Sequence, residues 1–580
     1  MSAPPQRAEP SRPPARGAIL LGGGLIVLAI LAAYHGSFAG PFVFDDVPAI
    51  SENASIRHLW PLGPVLSPPH ETGVTVSGRP VVNFSFALNY ALGGLSVGGY
   101  HAVNLLIHAC AALILFGVVR RTLLQPALRG RFGADALLLG LAVALLWAVH
   151  PLLTGSVSYV VQRAESLMGL FYLLTLYGFT RATEAGASRG WWMLSIIACW
   201  LGMATKEVMV TAPVLVLLYD RTFIAGTIRS DLTARWRYYA GLAASWLLLA
   251  GLIMGTGNRG GTVGFGSELT AWSYTLVQVW AVTHYLVLTF LPQQLVFDYG
   301  TDLRKDFADV ALSLIALAPL VVATIMGWRR WPAAAFAGLW FFLILAPTSS
   351  VVPVASQLAA EHRMYLPLAA VVAVLVLGGF AWLGRSALVG CAVLALAAGV
   401  LTERRTRDYR SALALWSDTV AKLPGNSRAH YNLGLALANE GRMADAMAQY
   451  EAVLRAHPND FEVHNKLGSA LLHAGRNTEA LVHLREALRI SPTYTDAHNN
   501  LAIGLIKTGR LIEAIEHFEY VAKQKPDSFE VQCNLGNALL EAGRKPEAIK
   551  HFEAALRLQP DSLPIRQLLG QLSGQRGASK

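Results

Sequence analysis

Three observations predict an all-α chain divided between two solvents. Apolar blocks of membrane-crossing length follow one another up to about residue 403, the chain beyond is polar and amphipathic, and that second stretch repeats every 34 residues. The first part therefore reads as a polytopic bundle of transmembrane helices and the second as an α-solenoid. Composition agrees, with 54% hydrophobic and 14% charged residues over 580 positions, where a soluble domain carries about 25% charged residues.

The blocks that could cross a bilayer are 18–36, 101–120, 135–150, 162–180, 190–205, 208–221, 238–256, 272–291, 308–326, 332–347, 365–383 and 386–402. Residues 1–17 form a basic tail ahead of an uncleaved first helix, and the membrane domain runs over 18–403. The formal charge of +10 is an orientation signal rather than a nucleic-acid footprint, because many of the arginines sit in short loops beside spans. Counting positive loops places the tail, Arg120/Arg121, Arg181/Arg189 and Arg221/Arg235/Arg237 on the cytoplasmic side, with a long first outer loop at 37–100. Arg329/Arg330 and Arg385 are then also cytoplasmic only if 272–291 does not cross. The expectation is eleven spans, a re-entrant or interfacial 272–291, and both 348–364 and the tail after 403 outside. Cys110, Cys199, Cys391 and Cys533 supply neither a disulfide framework nor a paired metal site.

In the second part, residues 404–580, Gly441-Arg442, Gly475-Arg476, Gly509-Arg510 and Gly543-Arg544 fall in step, as do Ala446, Ala480, Ala514, Ala548 and Pro458, Pro492, Pro526, Pro560. A 34-residue period is that of tetratricopeptide helix pairs, in which small alanines let paired helices approach and proline ends the second helix. The repeats are 427–458, 461–492, 495–526 and 529–560, preceded by a partial repeat at 404–424 and closed by a capping helix at 563–573. Asn432, Asn500 and Asn534 share one position on the first helix of the pair. Their amides could grip the backbone of a bound acceptor peptide, or tie helices within the stack.

Chemistry is expected in the membrane part. Asp45 and Asp46 stand where the first span meets water, placed to accept a proton from something bound at the bilayer surface. Arg79 follows in the same loop. His101, Asn104 and His108 share a helix face that must look into protein or a wet cavity, either as a site or as interhelical hydrogen bonds. His150, Arg163, Glu165, Lys206, Glu207, Glu361, His362 and Arg363 lie at the same predicted outer ends of spans. Acids beside cations suit a lipid-linked phosphate next to a base, arginine binding phosphate through its planar fork. A divalent cation on Asp45/Asp46 is disfavoured, though not ruled out, for want of further oxygen ligands, and no other cofactor is assigned. No Walker loop and no His-Glu-x-x-His pair occurs.

Phe-Val-Phe-Asp-Asp (42–46), Gly-Arg-Pro-Val (78–81), the 99–108 stretch, His-Pro (150–151), Arg-Ala-Glu-Ser-Leu (163–167), Lys-Glu (206–207) and His-Arg-Met-Tyr-Leu-Pro (362–367), followed by the repeats, resemble the transmembrane-and-tetratricopeptide (TMTC) family and its bacterial relatives. The resemblance implies a glycosyltransferase C membrane fold and transfer of a sugar from a polyprenyl-phosphate carrier to a protein hydroxyl on the outer face, as in protein O-mannosyltransferases. It implies Asp45 or Asp46 as the base, with Arg79, His101, Arg163, Lys206 and Arg363 near the donor. The expected location is a multi-pass inner membrane, with the repeats and active face periplasmic. The alternatives are a non-enzymatic membrane scaffold for envelope assembly, and an enzyme acting on a glycolipid or polysaccharide.

Overall fold

In the computed structural model the described residues are 16–68, 75–256, 270–301, 305–349 and 357–574. The basic tail, save its last two residues, and positions 350–356 of the 348–364 loop lie outside them. Every regular element among the described residues is helical. The chain divides into two compact units, 1–422 and 423–580.

Among the described residues of the first unit, six helical segments are long and apolar enough to cross a membrane: Arg16–Ala39, Val97–Leu123, Pro126–Ala148, Leu232–Gly255, Phe307–Arg330 and Ser386–Asp408. Gly190–Met203, Pro332–Leu345 and Pro367–Leu383 are shorter apolar helices. Leu21, Leu312, Ile325, Val389 and Leu396 leave most of their surface uncovered, an outward apolar skin that water would not tolerate and lipid does. This unit is a multi-pass membrane domain. Its centre is Val97–Leu123, packed against Arg163–Ala182 on one side and Ala136–Ala148 on the other.

The block 272–291 is a regular 20-residue helix, Ala271–Phe290, and is not among the six. Its polar side chains hold loops along its whole length. The Tyr274 hydroxyl donates to the Thr348 carbonyl at 2.9 Å, Gln278 donates to the Leu358 carbonyl at 2.8 Å, and the Tyr285 hydroxyl accepts the Ala360 N–H at 2.7 Å. The Thr348 and Leu358 carbonyls and the Ala360 N–H thereby find partners.

The loop after the first span carries its own small core. Val43, Ile50, Ile56, Val65, Val82 and Phe86 pack with Tyr100, Tyr159, Val161 and, from far along the chain, Tyr409 and Leu415. Asn53 donates to the Asn83 side-chain oxygen at 2.9 Å, and Asn83 to the Val65 carbonyl at 2.7 Å, so these two buried amides tie the loop together.

The second unit is a run of helix pairs, Ser427–Asn439 with Met443–Ala456, Phe461–His473 with Asn477–Ile490, Thr495–Lys507 with Leu511–Gln524, and Phe529–Glu541 with Lys545–Leu558, followed by Leu563–Gly574. Ala446, Ala480, Ala514 and Ala548 are fully buried between paired helices. The in-step glycines hold φ of 79°, 74°, 78° and 76° at the turns, the left-handed conformation that ends a helix without a Cβ clash. A second periodic tie joins each pair: His430 meets Gln449 at 2.7 Å, His464 meets His483 at 3.0 Å, His498 meets His517 at 2.8 Å, and Gln532 meets His551 at 2.7 Å. The partial-repeat helix Ala412–Lys422 belongs to the first unit, so the division falls some twenty residues later than the sequence pattern placed it.

Candidate active site at the acid loop

The segment leading to the two aspartates is sharply turned. Phe44 has φ 49°, the one non-glycine residue with positive φ among the described residues, and the Asp46 N–H closes the turn on the Val43 carbonyl at 3.0 Å. A bulky L residue adopts this conformation only when its surroundings over-determine it. The turn sends the neighbouring carboxylates to different places. Asp46 is fully buried and accepts two backbone N–H bonds, from Val43 at 3.0 Å and from Val161 at 2.7 Å. It clamps the acid loop to the 159–161 segment. Burial pushes its carboxyl up to about 8, against the pull of those two N–H groups.

Asp45 is only partly covered. The Tyr159 hydroxyl accepts the Asp45 backbone N–H at 2.9 Å, and the Thr75 hydroxyl donates to the Asp45 carboxylate at 3.3 Å. The Thr75 carbonyl in turn accepts from Arg79 at 2.9 Å, and Arg79 lies 3.6 Å from Glu207. One threonine thus links the acid to the first cation of the outer loop. Beside Phe44 and Tyr159 opens a cavity of about 20 Å³, lined also by Phe297, Asp298, Glu361, His362 and Tyr409. That volume admits one water molecule, so a sugar can enter only if the loops move.

Cations gather on the His362 side. Burial holds the His362 ring well below its ordinary value, and the charges of Lys206, Arg363 and Arg79 push the same way. Lys206 and Glu165 form a buried ion pair. Glu361 accepts the Val296 N–H and the Tyr299 hydroxyl, and burial raises its carboxyl to about 7.

Other predicted residues are used inside the protein. The His101 ring meets the Gly40 carbonyl at 3.0 Å. His108 bridges the Tyr365 hydroxyl and the Ala148 carbonyl, both at 2.9 Å. Asn104 donates to the Val157 and Val160 carbonyls and accepts from Arg163 at 2.7 Å. The polar helix face is therefore a set of interhelical and helix–loop ties. Arg163 is fully buried, and each of its three nitrogens donates to protein, to Asn104, Ser85 and Tyr100; its guanidinium also lies 4.7 Å from the Phe86 ring centre. His150 meets the Thr289 carbonyl at 3.0 Å and caps Leu152. Arg363 reaches Gln278, Ser349 and the Leu358 carbonyl. Tyr159, Thr75 and Phe297 acquire their places at the site only through long-range contacts, although the conspicuous Tyr159 follows the His-Pro motif closely in sequence.

Within the repeats, Asn432 donates to the Arg428 carbonyl of its own helix at 2.8 Å. Asn500 donates to Asn465 of the preceding repeat at 2.9 Å, so these two amides tie backbone and helices.

The tetratricopeptide-repeat family matches residues 398–460, 444–495 and 505–572. The C-terminal part of the chain thus carries tetratricopeptide repeats. Over 482 residues the chain is 28% identical to human "Protein O-mannosyl-transferase TMTC4", covering 72% of this chain and 64% of that protein. It is 26% identical to Caenorhabditis elegans "Protein O-mannosyl-transferase F38B6.6", covering 73% and 61%. The chain resembles the TMTC proteins. It spans a little under two thirds of the length of these relatives. Among solved structures, the crystal structure of MamA protein is 24% identical over 26% of this chain and 81% of that one, at a TM-score of 0.24.

Proposed function

We propose that this chain is a membrane glycosyltransferase that moves a sugar, mannose by the names of its relatives, from a polyprenyl-phosphate donor to a hydroxyl of a protein acceptor on the extracytoplasmic face. One observation carries the reading: the Phe44 turn buries Asp46 as a clamp and leaves Asp45 partly open, one threonine away from Arg79. Asp45 takes the proton of the acceptor hydroxyl, whose oxygen attacks the anomeric carbon. The bond from that carbon to the phosphate oxygen breaks, its electron pair leaves with the phosphate, and the configuration inverts. Arg79 and Lys206, with the cationic surroundings of His362, offset the charge gathering on the departing lipid phosphate. A phosphate departs without a general acid, and the carrier's chain lies among the spans. The repeats hold the acceptor polypeptide, with Asn534 the asparagine left to grip its backbone. The protein resides in the inner membrane with the acid loop facing the periplasm.

The test uses the full chain in liposomes with polyprenyl-phosphate mannose carrying a tritium label and a peptide rich in serine and threonine. Label on the peptide, alkali-labile and absent with Asp45→Asn, is expected. Label that appears only on lipid or polysaccharide would replace the protein acceptor. No transfer to any hydroxyl would leave the scaffold reading.

A further inference from the structure

The helix Ala412–Lys422 is by sequence the second helix of a partial repeat, yet its inner face forms a wall of the acid site. Trp416 is 2% exposed. Its indole meets the Phe44 ring edge-on at 5.5 Å between centroids and the Phe297 ring at 5.1 Å. Phe297 also packs edge-on against Tyr159 at 4.9 Å and against Phe44 at 6.4 Å. The strained residue that aims Asp45 and the tyrosine that accepts the Asp45 N–H therefore rest on one aromatic hub. The C-terminal half of the helix is pinned. Arg405 reaches Asp418 at 2.6 Å, while Lys422 donates to Asp418 at 2.9 Å and to the Leu295 carbonyl, two residues before the hub phenylalanine, at 2.8 Å.

We infer that Trp416 is a positioning residue for Asp45, holding Phe44 in its left-handed conformation so that the carboxylate meets the acceptor hydroxyl; this rests on the transferase reading above. The turn hydrogen bonds around Phe44 and the rings packed on its side chain together hold that conformation. The Trp416 and Phe297 rings both pack edge-on against the Phe44 ring, and the backbone follows the side chain. Without the indole, Phe44 can relax to negative φ and carry Asp45 with it. The spans that bind the lipid carrier are untouched by such a change. The first repeat-like helix is on this view part of the catalytic unit rather than a linker.

Two measurements test this on the full chain. In the transfer assay, Trp416→Ala lowers kcat about 10²-fold, the effect of an ångström-scale misplacement, with the donor KM unchanged, and Trp416→Phe restores most of the loss because a smaller ring still contacts Phe44. In a variant lacking the native cysteines, Asp45→Cys is labelled with a charged thiol reagent, and Trp416→Ala alters the labelling rate several-fold where Trp416→Phe does not. The second readout needs no activity, so it decides the positioning claim even if no transfer is found and the transferase reading falls. Equal labelling rates with Trp and Ala at 416 would overturn the inference, as would a rise in donor KM without loss of kcat. Should the alanine variant fail to insert, Trp416→Leu, which fills space without an aromatic edge, replaces it in both measurements.

Discussion

Exchanging each aspartate for asparagine separates the two acids by opposite signatures. Asp46 is buried and each of its oxygens accepts a backbone N–H from a different segment, Val43 at 3.0 Å and Val161 at 2.7 Å. An asparagine offers one acceptor oxygen and turns an NH₂ toward the other N–H, leaving a buried donor facing a donor. Such an unsatisfied group costs about 1–3 kcal/mol. Since burial keeps the carboxyl near 8, it is largely protonated at neutral pH, so lost charge adds little and the deficit persists at mildly acid pH. In detergent the loss reads as a faster rate of irreversible thermal inactivation, about tenfold for each 1.4 kcal/mol that falls on the unfolding barrier. Asp45→Asn behaves in the reverse way. Its side chain is partly exposed and accepts from the Thr75 hydroxyl at 3.3 Å, so stability should stay within about 0.5 kcal/mol of the parent. Transfer to a peptide hydroxyl should fall about 10²–10⁴-fold, the share a general base contributes. An Asp46→Asn protein as stable as the parent, together with an active Asp45→Asn protein, would refute both assignments.

Glu361 gives a pH signature. Its folded value of about 7 lies above its ordinary 4.5, so the folded state binds this proton more tightly, and the stabilisation is full below about 4.5 and lost as pH rises through 7. Glu361→Gln should flatten that part of a plot of inactivation half-life against pH, and an unchanged slope would show that another group sets it. Sidedness is read with single cysteines in a variant lacking the native four. Ser417→Cys, on the exposed face of the Ala412–Lys422 helix, should react in intact cells with an impermeant thiol reagent, and Ser188→Cys only after permeabilisation; the opposite pattern would place the acid loop inside.

The repeats were legible because their constraints are local. A glycine at each left-handed turn, an alanine at each helix crossing and a proline at each exit recur at fixed spacing whatever lies elsewhere. The acid pair also stood out, since carboxylates beside a span are costly without a task. Which acid is buried and which stays partly open was not legible, because it depends on the N–H of Val161, 115 residues away in sequence, and on a conformation of Phe44 that local preference opposes. His101, Asn104 and His108 were correctly placed on one polar face, but backbone carbonyls leave no mark in a sequence, and at Gly40, Ala148, Val157 and Val160 it is carbonyls that receive them. Trp416 was silent for a related reason. On an amphipathic helix in a partial repeat it reads as a residue facing the next helix pair, whereas it packs on two phenylalanines more than a hundred residues upstream.

The break between compact units at 422/423, rather than at the end of the last span, marks where the chain can be recombined. A chimera that exchanges everything after Lys422 for another array keeps the Trp416 contact, the Arg405–Asp418–Lys422 pins and the hold on Leu295. A cut at 403/404 discards Arg405, Trp416, Asp418 and Lys422 together and falls within the helix Ser386–Asp408. Lengthening, shortening or replacing repeats beyond residue 422 is thus a route by which one membrane unit can be matched to different clients, whereas the nineteen residues from 404 to 422 travel with the membrane unit in any such exchange.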